Sequence, residues 1–114
     1  MSERLIEAPA AAANVGSPRQ WTVVARNSRV LKDWRELAEK APENIRECFH
    51  RLSSKPLERV PGRVFPLKHR KYKGAWEYEV TGSNRVFYVP DTSTKKVVVY
   101  YAGKHVTPAP FPPG

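Results

Sequence analysis

Cysteine occurs once, at Cys48, so no disulfide can close within the chain and a cytoplasmic setting is expected. Cys48 falls at helical spacing beside Ile45, Phe49 and Leu52, which marks a buried structural thiol rather than a nucleophile. No apolar run approaches the ~20 residues of a membrane span. Nor does any segment form the long helix with one cationic face that a membrane-surface protein uses, so no membrane partner is expected. Residues 1–19 lack a cationic start followed by an apolar block, so no secretory signal is expected there. Histidine is scarce and scattered: His50, His69 and His105 do not give zinc-ligand spacing, so neither metal nor cofactor is expected. Internal repeats are absent. Acids are outnumbered, 11 Asp+Glu against 20 Lys+Arg in 114 residues, for a net charge of +9. That balance attracts nucleic acid or an acidic protein.

What is present suffices for one compact domain. Apolar residues make up 40 %, with three Trp, five Tyr and four Phe. Residues 1–19 are Ala-rich and without periodicity, and read as a mobile tail. Residues 107–114, TPAPFPPG, hold four prolines and read as an extended, polyproline-like tail, more simply a frayed end than a docked one. The domain is expected over 20–106. Within it, Gln20 to Ala25 is aromatic and β-branched, a strand. Asn27 or Ser28 caps a helix whose Val30, Leu31, Trp34, Leu37 and Ala38 make one apolar stripe. Pro42 opens a second helix with Ile45, Cys48, Phe49 and Leu52 inward, and the short link implies an antiparallel hairpin. A proline-punctuated loop leads to three further strands: Trp76 to Val80, Arg85 to Val89, and Lys96 to Ala102, the last apolar on both faces as a central strand is. The fold class is therefore α+β: β-α-α-β-β-β, a helical hairpin on one face of a twisted, mostly antiparallel four-stranded sheet.

The densest charge precedes the first of those three strands. Arg63 to Lys73, RVFPLKHRKYK, carries Lys68, His69, Arg70, Lys71 and Lys73 with no acid. A cationic segment on a fixed scaffold suits a polyanion, because each neutralised phosphate releases condensed counterion. Register decides where Arg85 points. A two- or four-residue turn buries it under the helices beside Trp76 and Val80. A three-residue loop, Gly82 to Asn84, puts it with Glu77 and Glu79 on the other face. Burying an unpaired guanidinium is expensive, so the three-residue loop and a solvent-open sheet face are expected. Tyr88, Tyr100 and Tyr101 have the chemistry to stack bases, but by alternation one of Tyr100 and Tyr101 points inward.

The motifs KDWREL (Lys32 to Leu37), PLKH (Pro66 to His69), WEYEV (Trp76 to Val80), NRVFYV (Asn84 to Val89) and AGKH (Ala102 to His105), in this order, resemble the RelE/ParE toxin superfamily. The combination is similar above all to actinobacterial and phage proteins described as cytotoxic translational repressors. The resemblance spans about residues 20–106 and implies a RelE-like fold. It further implies a toxin of a type II toxin–antitoxin pair that cuts mRNA on the ribosome, with mRNA, ribosome and a cognate antitoxin as partners. An acidic antitoxin would be drawn by the +9 charge. Arg85 matches the arginine that RelE-like nucleases place beside the scissile phosphate. Lys68 and His69 match the PLKH of the YoeB branch and imply backbone contacts, with Arg70, Lys71, Lys73 and Lys104 as further RNA-binding candidates. His105 matches the YoeB histidine near the chain end, a candidate general acid. The chain departs from the family where Phe65 replaces YoeB's base glutamate, where Glu77 and Glu79 replace two RelE lysines, and where Val106 replaces a terminal tyrosine. Glu77 or Glu79 then becomes the candidate base for a ribose 2′-hydroxyl. Two alternatives stand beside this: a ParE-like DNA gyrase poison, and a catalytically inactive RNA- or protein-binding regulator of phage or prophage origin.

Overall fold

Asn27 is extended and its side-chain oxygen accepts the Val30 N–H at 2.9 Å, which caps α1 (Ser28–Lys40). Val30, Trp34 and Leu37 then share one helix face and are buried. Ala41 alone separates α1 from α2 (Pro42–Ser54), where Pro42 takes the first-turn position that needs no N–H. Ile45, Cys48, Phe49 and Leu52 turn inward. Burial pushes the Cys48 thiol well above its ordinary pKa, in keeping with a structural residue.

The computed structural model, which describes residues 2–8 and 20–113, sets both helices against one face of a mixed sheet. Its strands are β1 (Arg4–Leu5), β2 (Thr22–Ala25), β3 (Val64–Pro66), β4 (Trp76–Thr81), β5 (Asn84–Asp91) and β6 (Lys96–Lys104). They lie in the order β1-β2-β6-β5-β4-β3, and only β2 and β6 run parallel. The α+β class and the core element order agree with expectation. The strand number does not: the sheet has six strands, not four. Both extra strands are short edges. Arg4–Leu5 pairs with β2, and Ile6 beyond it is only 3 % exposed, seated in the helix-side core. Arg4–Leu5 of the expected tail is thus part of the sheet, while residues 9–19 lie outside the described residues. Val64–Pro66, read from sequence as loop, pairs with β4.

The sheet buries side chains on its second face as well. Ala75, Phe87 and Tyr100 form a cluster there, with Leu67, Tyr72 and Ala109 packed around it. That face was expected to be open to solvent. Instead, the chain folds back across it at Ala109, Pro110 and Phe111, so the proline-rich tail is docked rather than frayed. Two irregularities set what points where. A bulge between Glu79 and Thr81 lets a tight Gly82–Ser83 turn close the β4–β5 hairpin while Glu79 still pairs with Arg85. A second bulge, on β6, leaves Phe87 opposite Tyr101 but Tyr88 opposite Val99. Tyr100 and Tyr101 therefore both reach Phe87, at ring-centroid distances of 6.1 and 5.6 Å, and alternation does not send either one under the helices.

Gly74 joins the basic segment to β4 at φ 82, a conformation that strains an L side chain, while a Cβ there would meet Val89 at an ordinary 3.7 Å. Gly74→Ala is therefore expected to cost about 1–2 kcal/mol through backbone strain alone. Urea unfolding measures it. An unchanged midpoint would show that the turn rearranges freely.

Candidate functional site

Alternation along β4 sends Trp76, Tyr78 and Val80 into the helix-side core and leaves Glu77 and Glu79 on the other face. The hairpin bulge brings Arg85 to the same side, as the charge argument required, although by a two-residue turn and a bulge instead of a three-residue loop. The pair is not an exposed one, however: Arg85 is buried. Its Nε donates to Glu77 Oε2 at 3.1 Å. Its Nη1 lies within hydrogen-bonding distance of the carbonyls of Thr81 (2.8 Å), Asn84 (3.1 Å) and Gly82 (3.3 Å). Nη2 faces only Glu79 Oε1, at 3.6 Å, too long for a hydrogen bond. Thus three of its five N–H donors, the one on Nε and the two on Nη1, are turned inward by the hairpin, and the corner of the guanidinium left uncommitted is the one beside Glu79. The two carboxylates differ in access: the Glu77 side chain is 14 % exposed and the Glu79 side chain 36 %.

Lys68, His69, Arg70, Lys71 and Lys73 are all exposed at the β3–β4 connection. Arg70–Tyr72 is one turn of 3₁₀ helix, and His69 caps it, with Nδ1 accepting the Lys71 N–H at 3.2 Å. Among the described residues, no ion pair engages Lys68, Arg70, Lys71 or Lys73. Their charge is available to a ligand. Val106 and His105 follow β6 into solvent. The His105 N–H donates to Ser83 O at 2.9 Å, so His105 stands at the same hairpin turn that holds Arg85. Lys104 lies opposite Asn84 in the ladder, and Lys40, Gly82, Asn84, Lys104 and His105 rim a shallow depression there. The basic turn and His105 consequently sit at opposite ends of the β4–β5 hairpin, roughly 17 Å apart by strand rise, with Glu79 and Arg85 between them.

Sequence reasoning missed the residues that cover this face. The Tyr72 hydroxyl donates to Ala109 O and the Tyr100 hydroxyl to Pro110 O, each at 2.9 Å. The Tyr72 and Phe111 rings stack at 5.0 Å. The signal was Phe87: an aromatic on the outward face of a strand needs a cover, and residues 108–112 were the apolar stretch left to supply it. Tyr88, a stacking candidate, is core, with its hydroxyl donating to Pro56 O at 2.8 Å.

No protein-family model matches the chain, and no curated protein matches it. Among solved structures, a "YoeB/ParE toxin from Agrobacterium tumefaciens" superposes with a TM-score of 0.52 at 21 % identity, over 66 % of this chain and 85 % of that one. The fold is that of a YoeB/ParE toxin. The sheet, the helical pair and the hairpin carrying Glu77, Glu79 and Arg85 together agree with the RelE-like architecture that the motifs implied. Among the described residues, no helix is long and apolar enough to cross a membrane, and no group of three or more His, Cys, Asp or Glu converges as a metal site.

Proposed function

We propose that this chain is the toxin of a toxin–antitoxin pair and an endoribonuclease that inhibits translation by cutting mRNA on the ribosome. The observation that carries the reading is the hairpin: Glu79 beside the uncommitted Nη2 of Arg85, His105 at the turn, and an unpaired basic rim at the other end. Glu79 takes the proton of a ribose 2′-hydroxyl, whose oxygen attacks the adjacent phosphorus. Arg85 Nη2 balances the charge that develops on the phosphoryl oxygens. His105 gives a proton to the departing 5′ oxygen. The products are a 2′,3′-cyclic phosphate and a 5′-hydroxyl end. Lys68, His69, Arg70, Lys71 and Lys73 bind backbone on one side of the cut and Lys104 on the other. An acidic antitoxin fits the same cationic face.

One observation favours a second reading, a non-catalytic binder of RNA or protein: most of Arg85's donors are satisfied within the protein itself. Mapping RNA 5′ ends after brief induced expression separates the two. The nuclease should produce new 5′-hydroxyl ends confined to translated frames, and these should vanish when translation initiation is blocked. Growth arrest without new ends would favour the binder, or a target such as DNA gyrase.

A further inference from the structure

Within the segment from Pro108 to Pro113, Ala109, Pro110 and Phe111 are held on the sheet face by side chains. Its anchors are the hydroxyls of Tyr72 and Tyr100, which donate to Ala109 O and Pro110 O, and the Tyr72 ring, stacked on Phe111 at an interplanar angle of 28°. Hydroxyls aimed at carbonyls in an aromatic-lined groove are the usual grip on an extended proline-rich peptide, whose backbone offers acceptors but few donors. The grip is also light. Phe111 remains 54 % exposed, and a segment tied by a few side chains belongs to the part of a structure that opens most readily.

The anchors lie at the candidate site, not apart from it. Tyr72 sits in the basic run between Lys71 and Lys73. The Tyr100 ring lies 6.1 Å from that of Phe87, which stands opposite Glu77 in the β4–β5 ladder, so the second anchor borders the Glu77–Arg85 pair. The covered path is therefore the one between the basic rim and the hairpin turn. The rings beneath the segment, Tyr72 and Tyr100, have the π-faces on which single-stranded bases stack.

We propose that residues 108–113 are an intramolecular competitor, which fills the groove from the Lys68–Lys73 rim toward Arg85 and must leave before a single-stranded polynucleotide can lie there. The ligand named here rests on the RNA-cutting reading above; the groove and its occupant do not. Because segment and polynucleotide exclude each other, the apparent affinity for the polynucleotide is reduced by the fraction of molecules whose groove is closed.

The test uses the full chain, a fluorescein-labelled uridine oligonucleotide and two variants. Tyr72→Phe/Tyr100→Phe keeps both rings and removes both hydroxyl anchors; Phe111→Ala removes the stacked ring at an exposed position, so folding is not at stake. Each variant is expected to bind the oligonucleotide more tightly than the wild type, by about tenfold for the double variant. Saturating the wild type with the oligonucleotide should also erase the proton cross-peaks between the Phe111 and Tyr72 rings. Unchanged or weaker binding by both variants would overturn the competitor and leave the RNA reading standing. So would cross-peaks that persist in the saturated wild type. Absence of binding by every chain would overturn both.

Discussion

Replacing Arg85 with Met is expected to lower the unfolding free energy by about 3–5 kcal/mol, the range for removing one partner of a buried ion pair. Methionine matches the length of the arginine stem, so the loss is electrostatic and not a cavity. It would leave Glu77, 14 % exposed, without the Nε donor at 3.1 Å. It would also strip a donor from the carbonyls of Thr81, Gly82 and Asn84 at a tight turn. Glu77→Gln should cost less, since an amide oxygen still accepts from Nε. Glu79→Gln should cost about 1 kcal/mol or less, as befits a half-exposed partner without a hydrogen bond. Urea unfolding of the three variants gives the order directly. An Arg85→Met protein within about 1 kcal/mol of the wild type would mean that the cluster behaves as a surface pair. The order matters for function too: loss of cleavage on removing Arg85 has to be corrected for loss of folded protein before it counts as chemistry.

The face of Arg85 was legible in the sequence because it follows from a quantity that does not depend on the turn. A guanidinium has to find counter-ions, and Glu77 and Glu79 were the only ones in reach along β4. The turn itself was not legible. A bulge in one strand and a shorter loop give the same parity as a longer loop with no bulge, and WEYEVTGSNR has the residues for either. The same ambiguity hid Tyr100: strict alternation assigns one of two adjacent tyrosines to each face, and the β6 bulge cancels it. The helices were read well because Val30, Trp34 and Leu37, then Ile45, Phe49 and Leu52, repeat over about two turns each. Arg4–Leu5 and Val64–Pro66 are too short to show any period, so their pairing came only with the sheet edges they join. The docked tail escaped because four prolines read as chain that cannot pair. That is true of its backbone, and its attachment uses tyrosine hydroxyls instead.

The catalytic reading makes its sharpest claim about His105 and Glu79, because neither residue carries the fold. His105 is exposed and held by its backbone N–H alone in the contacts it makes, so His105→Ala should fold like the wild type. With translating ribosomes and purified protein, it is expected to lose cleavage by about a hundredfold or more, the lower range for a general acid. Glu79→Gln should lose at least about tenfold by the same argument for the base. Glu77→Gln should lose less, since Glu77 is bound to Arg85 and less accessible than its neighbour. If the His105 and Glu79 variants both cut as well as the wild type, the hairpin is a binding surface, and the buried Arg85 serves to hold its turn in shape.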